Sequence, residues 1–187
     1  SRAELESEDT VMIIGSGALG SSILRIVKLY NPKAIIVTDI DDAKLEEAKK
    51  NGATYTINSL KEDVPAKAHE LTEGYGPTVT IDAACVKGSL LTALQATGNA
   101  GRVITMGFSV APTEVNQFVI TSKELDVRGS RLQNRKFQDV IDLVNEGKVD
   151  LRGSISHTWN FEDAQAAFDF VDSRDPSYRK GVLTFKK

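Results

Sequence analysis

The residues that could do chemistry lie first in a glycine-rich stretch near the start of the sequence. Gly15, Gly17 and Gly20 form the pattern G-x-G-x-x-G directly after the apolar run Val11–Ile14. After a strand, this pattern is typical of a turn that cradles the pyrophosphate of a dinucleotide. The first glycine permits the tight turn, the second lets the phosphate approach the backbone, and the third lets the next helix pack closely. The sequence therefore predicts a phosphate-binding turn here.

A carboxylate that could bind a ribose follows the next apolar run, residues 34–38. Asp39 lies about 20 residues beyond the last glycine, where a ribose-binding acid is expected. Such an acid accepts hydrogen bonds from the adenosine ribose hydroxyls and repels a 2′-phosphate, and the nearest base here is Lys44. The sequence therefore predicts NAD rather than NADP. The alternative is a glycine-rich turn in another kind of α/β protein, with Asp39 as a helix cap.

The composition excludes several classes of protein. The 187 residues suit one domain, perhaps with an appendage, and the net charge of −3 with interspersed acids and bases does not suggest nucleic acid or a membrane surface as partner. No apolar run approaches the roughly 20 residues that span a bilayer. Cys85 is the one cysteine, so no internal disulfide can form. This usage suits a reducing cytoplasm.

Strands and helices alternate along the sequence. Strands are predicted at about 10–15, 34–39, 53–58, 78–81, 102–106 and 125–129, and helices at about 18–30, 41–51, 61–73, 87–96 and 134–146. This alternation predicts an α/β fold of the Rossmann type, a doubly wound six-stranded parallel sheet with helices on both faces. Ligands of such sheets bind at the carboxyl ends of the strands, which here follow residues 14, 38, 81 and 106.

The predicted organisation has three parts. Residues 1–9 form a linker or the end of a preceding helix, 10–150 form the NAD-binding domain, and 151–187 form a C-terminal segment. That segment is expected to contain a helix capped by Asn160 and a last strand near residues 181–185. The expected buried stripe of this helix is Phe161, Ala164, Phe168 and Val171.

Several stretches together resemble a known family. GSGALG, VTDIDDAKLEEAKKNGA, TVTIDAA, GRVITMGF and KGVLTF resemble the zinc-type alcohol and polyol dehydrogenases of the medium-chain dehydrogenase/reductase superfamily. A finer likeness, carried by IDAAC, MGFS, SKEL and SRL, is to the branch with starvation-sensing protein B and the L-galactonate, L-idonate and sorbitol-type dehydrogenases. The resemblance covers essentially the whole sequence.

The resemblance implies a set of cofactor-binding residues. Lys44 matches a lysine near the adenosine, and Lys180 matches a basic residue that contacts the pyrophosphate. Residues 106–108 match the strand end whose backbone faces the nicotinamide, and residues 130–131 match a segment whose backbone helps to hold the carboxamide. The full implied set is Gly15, Gly17, Ala18, Leu19, Gly20, Asp39, Ile40, Lys44, Ala83, Ala84, Met106, Gly107, Phe108, Ser130, Arg131 and Lys180.

The sequence departs from the family in its metal ligands. The family holds its catalytic zinc in an N-terminal GroES-like domain, whereas Cys85, His69 and His157 match no zinc pattern. The resemblance therefore implies the C-terminal, NAD-binding part of a longer dehydrogenase, with the zinc elsewhere and no catalytic residue here. Two alternatives stay open: a non-catalytic NAD-binding sensor or regulator, and a zinc-free quinone-reductase-type relative, which the Asp39 carboxylate disfavours.

The resemblance also implies partners. A small-molecule alcohol or polyol is the expected substrate of the complete enzyme. A homodimer or tetramer is expected to form through the sheet edge at residues 115–129.

Cys85 is expected to be a partly buried thiol rather than a nucleophile, and Asp82 is expected to cap the turn that follows it or to line the adenine side.

Overall fold

The computed structural model describes residues 2–108, 110–131, 135–151, 153–173, 175 and 177–185. The chain divides into two compact units, Ser1–Ile141 and Asp142–Lys187. Ser1, the first residue of the predicted linker, and Asn134, the predicted start of a helix, lie outside the described residues.

The first unit alternates strands and helices as the sequence predicts. Its elements are β1 (Thr10–Ile14), α1 (Ala18–Val27) with a 3-10 turn at Lys28–Tyr30, β2 (Ala34–Asp39), α2 (Asp42–Lys50), β3 (Tyr55–Asn58), α3 (Val64–Glu70), β4 (Val79–Asp82), α4 (Ser89–Ala96), β5 (Arg102–Thr105), α5 (Gln117–Thr121), β6 (Asp126–Gly129) and α6 (Phe137–Asn145). The division between the two units falls within α6.

All six strands of the first unit join one parallel sheet in the order β3-β2-β1-β4-β5-β6. The strand order reverses between β1 and β4, which pair from Val11↔Val79 to Ile14↔Asp82. In a doubly wound sheet, the crevice at this switch point is where ligands bind. The predicted fold class is confirmed, and the glycine turn lies at the carboxyl end of β1.

β1 shows why its sequence is continuously apolar. Val11 and Ile13 pack into a cluster with residues of α1 and α2, whereas Met12 and Ile14 pack into a second cluster with residues of α3 and α4. Val11, Met12 and Ile13 are fully buried. A strand covered by helices on both faces has no solvent-facing side and therefore loses the apolar–polar alternation of a half-exposed strand.

Helix α3 is shorter than the predicted helix at 61–73. The Asp63 carboxylate accepts a hydrogen bond from the Ala66 amide at 2.9 Å and so caps the helix at this point. At the other end, the Gly74 amide donates to the His69 carbonyl at 2.7 Å and closes the last turn. Residues 59–63 therefore form a loop at the carboxyl end of β3, where they reach the ligand crevice.

The segment before β1, residues 2–9, is held at the amino ends of the strands by hydrogen bonds and an ion pair. The Asp9 carboxylate is buried, accepts hydrogen bonds from the Glu6 amide and the Thr78 hydroxyl, and pairs with the Arg102 guanidinium at 2.5 Å. Arg102 also donates to the Glu4 carbonyl at 3.0 Å. This ion pair with its buried carboxylate lies at the amino ends of the strands, whereas the glycine turn lies at their carboxyl ends.

The second unit contains β7 (His157–Asn160), a 3-10 turn at Phe161–Asp163, α7 (Ala164–Asp172) and β8 (Gly181–Thr184). β7 and β8 pair in parallel. The rings of His157 and Trp159 stack at 5.4 Å, and Phe170 packs 4.6 Å from His157. The expected stripe is wrong for Phe161 and Phe168, which are 52% and 62% exposed, because one helix on a two-stranded sheet buries little area.

Within the described residues, no helix combines the length and the apolarity that crossing a membrane requires.

Candidate functional site

The glycine turn is held between two strands. Gly15 has a φ of 91°, and its amide donates to the Thr38 carbonyl of β2 at 2.8 Å. A Cβ on Gly15 would lie 3.0 Å from the Cα and the amide nitrogen of Ala84, which follows β4. The left-handed backbone and the close approach both require glycine. The position of the turn is therefore set by β2 on one side and by the end of β4 on the other.

Gly17 and Gly20 have different surroundings. A Cβ on Gly17 would meet no heavy atom of the described protein within 4 Å beyond its chain neighbours. A Cβ on Gly20 would overlap the Gly15 carbonyl oxygen and lie 2.8 Å from its carbon. Gly20 therefore serves the packing of helix on turn, whereas the space beside Gly17 is open to a ligand.

Helix α1 begins beside this open space. Gly17 is its N-cap, no side chain caps it, and its first turn contains no acidic residue. The first amides of a helix have no partner within the helix, and the helix dipole places partial positive charge at this end. The start of α1 is therefore suited to a phosphate group.

The Asp39 carboxylate is anchored by the backbone around it. Its Oδ2 accepts a hydrogen bond from the Ser16 amide at 2.7 Å, and its Oδ1 accepts one from the Asp41 amide at 3.1 Å. Each carboxylate oxygen has two lone pairs, so both can accept a further hydrogen bond from a ligand. Asp39 caps no helix, since α2 is capped by Asp41, whose carboxylate accepts from the Ala43 amide at 2.8 Å.

A cleft of ≈ 700 Å³ joins the glycine turn to Asp39. Seven of the sequence-predicted site residues line it: Gly15, Gly17, Asp39, Ile40, Lys44, Ala83 and Ala84. Residues that the sequence analysis did not include also line it, among them Ser59, Glu62, Asp63, Pro65, Val86 and Lys87. These come from the loops after β3 and β4 and, for Pro65, from the first turn of α3. The rule that ligands bind at the carboxyl ends of parallel strands could have indicated them.

Other predicted residues lie outside this cleft. Leu19, Met106 and Ser130 line a second, mostly apolar cavity of ≈ 420 Å³ against α1. Gly107 lines a third cavity of ≈ 750 Å³, beside Cys85. The structure thus collects the predicted adenosine-side residues in one cleft and distributes the predicted nicotinamide-side residues around the ends of β5 and β6.

The ends of β5 and β6 are joined by one backbone bond and one side-chain contact. The Ser130 amide donates to the Thr105 carbonyl at 2.9 Å. The Arg131 guanidinium lies over the Phe108 ring, 5.3 Å from its centroid. Lys180 belongs to the second unit, where its carbonyl accepts from the Ser156 amide at 2.9 Å, and its predicted contact with a pyrophosphate stays a prediction.

Asp82 shapes the loop after β4. Its buried carboxylate accepts hydrogen bonds from the Cys85 amide at 3.0 Å and from the Ser89 hydroxyl at 2.7 Å. It therefore caps the turn that follows it. Burial raises the pKa of the Cys85 thiol, and the negative charge of Asp82 raises it further. A raised pKa keeps the thiol protonated near neutral pH, and a protonated thiol is a weaker nucleophile than a thiolate.

Among the residues that the structure describes, no three His, Cys, Asp or Glu side chains lie close enough together to hold a metal ion. The His69 ring nitrogens lie 3.0 Å and 3.4 Å from the carbonyl oxygens of Gly74 and Gln95. His157 lies within the aromatic cluster of the second unit. The open start of α1 and the anchored Asp39 carboxylate instead suit a ligand that carries phosphate and hydroxyl groups.

Comparison with known protein families identifies the family to which this chain belongs. The zinc-binding dehydrogenase family matches residues 18–146, from the start of α1 to just beyond α6. This chain belongs to that family. Starvation-sensing protein RspB of Escherichia coli K12 is 37% identical over 180 residues, which are 96% of this chain and 52% of RspB. Erythritol/L-threitol dehydrogenase of Mycolicibacterium smegmatis is 28% identical over 97% of this chain and 51% of its own length.

Solved structures share the fold. A structure described as short chain alcohol dehydrogenase (rspB) from E. coli CFT073, complexed with NADH, superimposes with a TM-score of 0.89. It is 36% identical and covers 98% of this chain and 54% of that one. L-idonate 5-dehydrogenase from E. coli K-12 shares the fold with a TM-score of 0.87. The chain spans about half the length of the relatives it matches.

Proposed function

We propose that this chain is the NAD-binding part of a zinc-dependent alcohol, polyol or sugar-acid dehydrogenase, which transfers hydride between a secondary alcohol and NAD. The observation that carries the proposal is the Asp39 carboxylate, anchored at the end of β2 and opening into the same cleft as the glycine turn. NADH in the solved rspB structure and the NAD-dependent alcohol dehydrogenases among the relatives support NAD as the cofactor.

In this proposal, each part of the cleft receives one part of the cofactor. The pyrophosphate lies over Gly17 and the first turn of α1, where no described atom would lie within 4 Å of a Cβ on Gly17 apart from its chain neighbours. The adenosine ribose donates hydrogen bonds to Asp39, and the adenine lies near Ile40 and Lys44 with residues 83–84 opposite. The nicotinamide half extends toward residues 106–108 and 130–131.

Electrostatics supports NAD over NADP. A 2′-phosphate at the ribose would lie beside the Asp39 carboxylate, whose charge is held there by two backbone amides. Two like unit charges about 4 Å apart repel by about 4 kcal/mol in a partly desolvated cleft. Lys44 is the basic residue of the β2–α2 region that lines the cleft. Lys87, which also lines the cleft, follows β4, so the end of β2 offers a doubly charged phosphate one lysine beside a fixed carboxylate.

The substrate chemistry is proposed for the whole enzyme. Zinc would polarise the substrate oxygen there. The described residues of this chain contain no cluster that fits zinc, so we expect the metal ligands to belong to another part of the enzyme. We therefore expect this chain alone to bind the cofactor and to be inactive as a dehydrogenase.

We also propose that the chain associates through β6 into a homodimer or tetramer. β6 is an edge strand of the sheet, most of it is exposed, and Val127 is 39% exposed. An unpaired edge with apolar side chains is a ready surface for pairing with another strand. For the enzyme we propose a cytoplasmic location, which the single Cys85 supports.

Calorimetric titration with NAD and with NADP tests the proposal. We expect the unmodified chain to bind NAD at least about tenfold more tightly than NADP, since Asp39 offers charged hydrogen bonds only to the unphosphorylated ribose. The Asp39→Ala variant should lose this preference. Glu46→Gln is the matched control, because it removes one negative charge from an exposed ion pair of α2 outside the cleft. Binding of NADP as tightly as NAD by the unmodified chain would contradict the proposal.

A further inference from the structure

Asn58 is the last residue of β3 and lies in register beside Asp39, the last residue of β2. Its side chain is 6% exposed, and neither the glycine pattern nor the ribose acid indicates a role for it. The Ser59 amide donates to the Asp39 carbonyl at 3.0 Å, which continues the pairing of the two strands by one step. Asn58 therefore lies directly beneath the loop that leads from Asp39 into α2.

The Asn58 amide group spans that loop. Its Nδ2 donates to the Ile40 carbonyl at 3.3 Å and to the Asp42 Oδ1 at 2.6 Å. Its Oδ1 accepts from the Leu60 amide at 3.0 Å and so fixes the orientation of the side chain. A carboxamide supplies both donors and an acceptor, whereas an aspartate at this position would offer no donor to Ile40 and would repel Asp42.

Asp42 extends the same connection to the next loop. Its Oδ2 pairs with the Lys61 ammonium at 2.5 Å, and the hydrogen bonds from Lys61 and then from Asn58 lower the pKa of the Asp42 carboxyl. The loop after β2 and the loop after β3 are thus joined by one buried amide and one exposed ion pair. Both loops line the cleft, the first through Ile40 and the second through Ser59, Glu62 and Asp63.

We infer that Asn58 is a positioning residue for the cofactor site, an inference that rests on the proposed function. By holding the Ile40 carbonyl and the Asp42 side chain, Asn58 fixes the backbone on the far side of Asp39. The Asp41 amide that orients the Asp39 carboxylate lies between these two held residues. Asn58 therefore acts on the ribose through Asp39 and on the adenine through Ile40, which is 61% exposed in the cleft.

The experiment compares Asn58→Ala with the unmodified chain by calorimetry, with NAD and with AMP as ligands. Loss of the two donated hydrogen bonds should weaken both ligands by about the same factor, roughly tenfold, since the effect lies on the adenosine side. Thr97→Val is the control: Thr97 is fully buried and donates to the Thr80 hydroxyl away from the cleft. It should lower the melting temperature and leave NAD affinity unchanged.

A double-mutant cycle separates positioning from general destabilisation. If Asn58 acts through Asp39, Asn58→Ala should cost less than about threefold in NAD affinity once Asp39→Ala is present. Fully additive losses, or NAD binding by Asn58→Ala equal to that of the unmodified chain, would overturn the inference alone. No NAD binding by the unmodified chain would overturn the proposed function and the inference with it.

A second variant covers the case in which Asn58→Ala does not fold. Asp42→Ala removes the outer partner of the Asn58 amide from a position where both members of the ion pair are more than 60% exposed. We expect it to fold and to weaken NAD by about threefold, since one of the two donated bonds is kept. Unchanged NAD and AMP affinity in this variant would then count against the positioning role.

Discussion

Gly20 and Gly17 allow the two roles of the glycine turn to be separated by experiment. A methyl group on Gly20 would overlap the Gly15 carbonyl, so helix and turn must move apart by roughly 1 Å or more to restore van der Waals contact. The helix and the turn both pack against the buried residues of β1, and a close-packed core resists such a shift. We expect Gly20→Ala to lower the free energy of unfolding by about 3 kcal/mol, within the range for overpacked cores.

The matched change is Gly17→Ala, where the methyl group enters open space. Gly17 has a φ of −69°, which alanine adopts without strain. We expect the free energy of unfolding of the Gly17→Ala variant to stay within about 1 kcal/mol of that of the unmodified chain, because alanine is a poorer N-cap. NAD affinity should nevertheless fall about tenfold or more, because the methyl group occupies the approach of the pyrophosphate.

Urea unfolding and calorimetric titration of both variants measure the two effects. A cost of about 3 kcal/mol corresponds to a fall in melting temperature of roughly 6–12 °C for a chain of this size. The reasoning fails if Gly17→Ala binds NAD like the unmodified chain, since the open space would then not be the pyrophosphate path. It also fails if Gly20→Ala is as stable as Gly17→Ala.

Further predictions concern the parts that support the site. Asp9→Ala breaks a buried ion pair and should cost about 3 kcal/mol in urea unfolding without changing NAD affinity. Lys123→Met removes three hydrogen bonds from the Lys123 ammonium to carbonyls at the end of α4 and should cost about 1–2 kcal/mol by the same assay. Val127→Lys should shift an assembly toward the monomer in light scattering; an unchanged mass would exclude β6 as the interface. The hydrogen bond from Arg128, and then its charge, lower the pKa of Asp126 from its ordinary value of 3.8, so this contribution is complete above that pH and is lost as the pH falls below about 4. Arg128→Met should therefore be less stable than the unmodified chain at pH 7, and the difference should shrink as the pH falls below about 4.

Much of the first unit could be predicted from local signals. A few neighbouring residues are enough to predict three features: the buried strand β1, the glycine turn and the acid at the end of β2. Ala34–Asp39 forms β2 as predicted, because β-branched residues fill it and Pro32 precedes it. The alternation of elements then predicts a parallel sheet with right-handed crossovers, whereas the strand order is known from the structure.

The parts that could not be predicted depend on contacts between distant residues. Nothing in the spacing of the sequence indicates that the Ser16 amide donates to the Asp39 carboxylate. Nor does it indicate that the Asn58 side chain donates to the Ile40 carbonyl, in the loop after β2. Helix α3 starts later than predicted from the sequence, because Asp63 caps its first turn. In the second unit, helical spacing predicted a buried stripe, but burial of Phe168 requires a surface that this unit does not offer.

The neighbouring positions of β1 and β4 affect the order in which the protein can be assembled during synthesis. β1 pairs first with β2, but its other side stays open until residues 79–82 have been made. The Gly15 turn packs on Ala84, so its final shape also waits for that segment. Contacts between segments so far apart in sequence form slowly, because a long loop must close first. A nascent chain that ends before residue 79 therefore carries the whole glycine pattern while one side of its central strand is still unpaired and prone to aggregation.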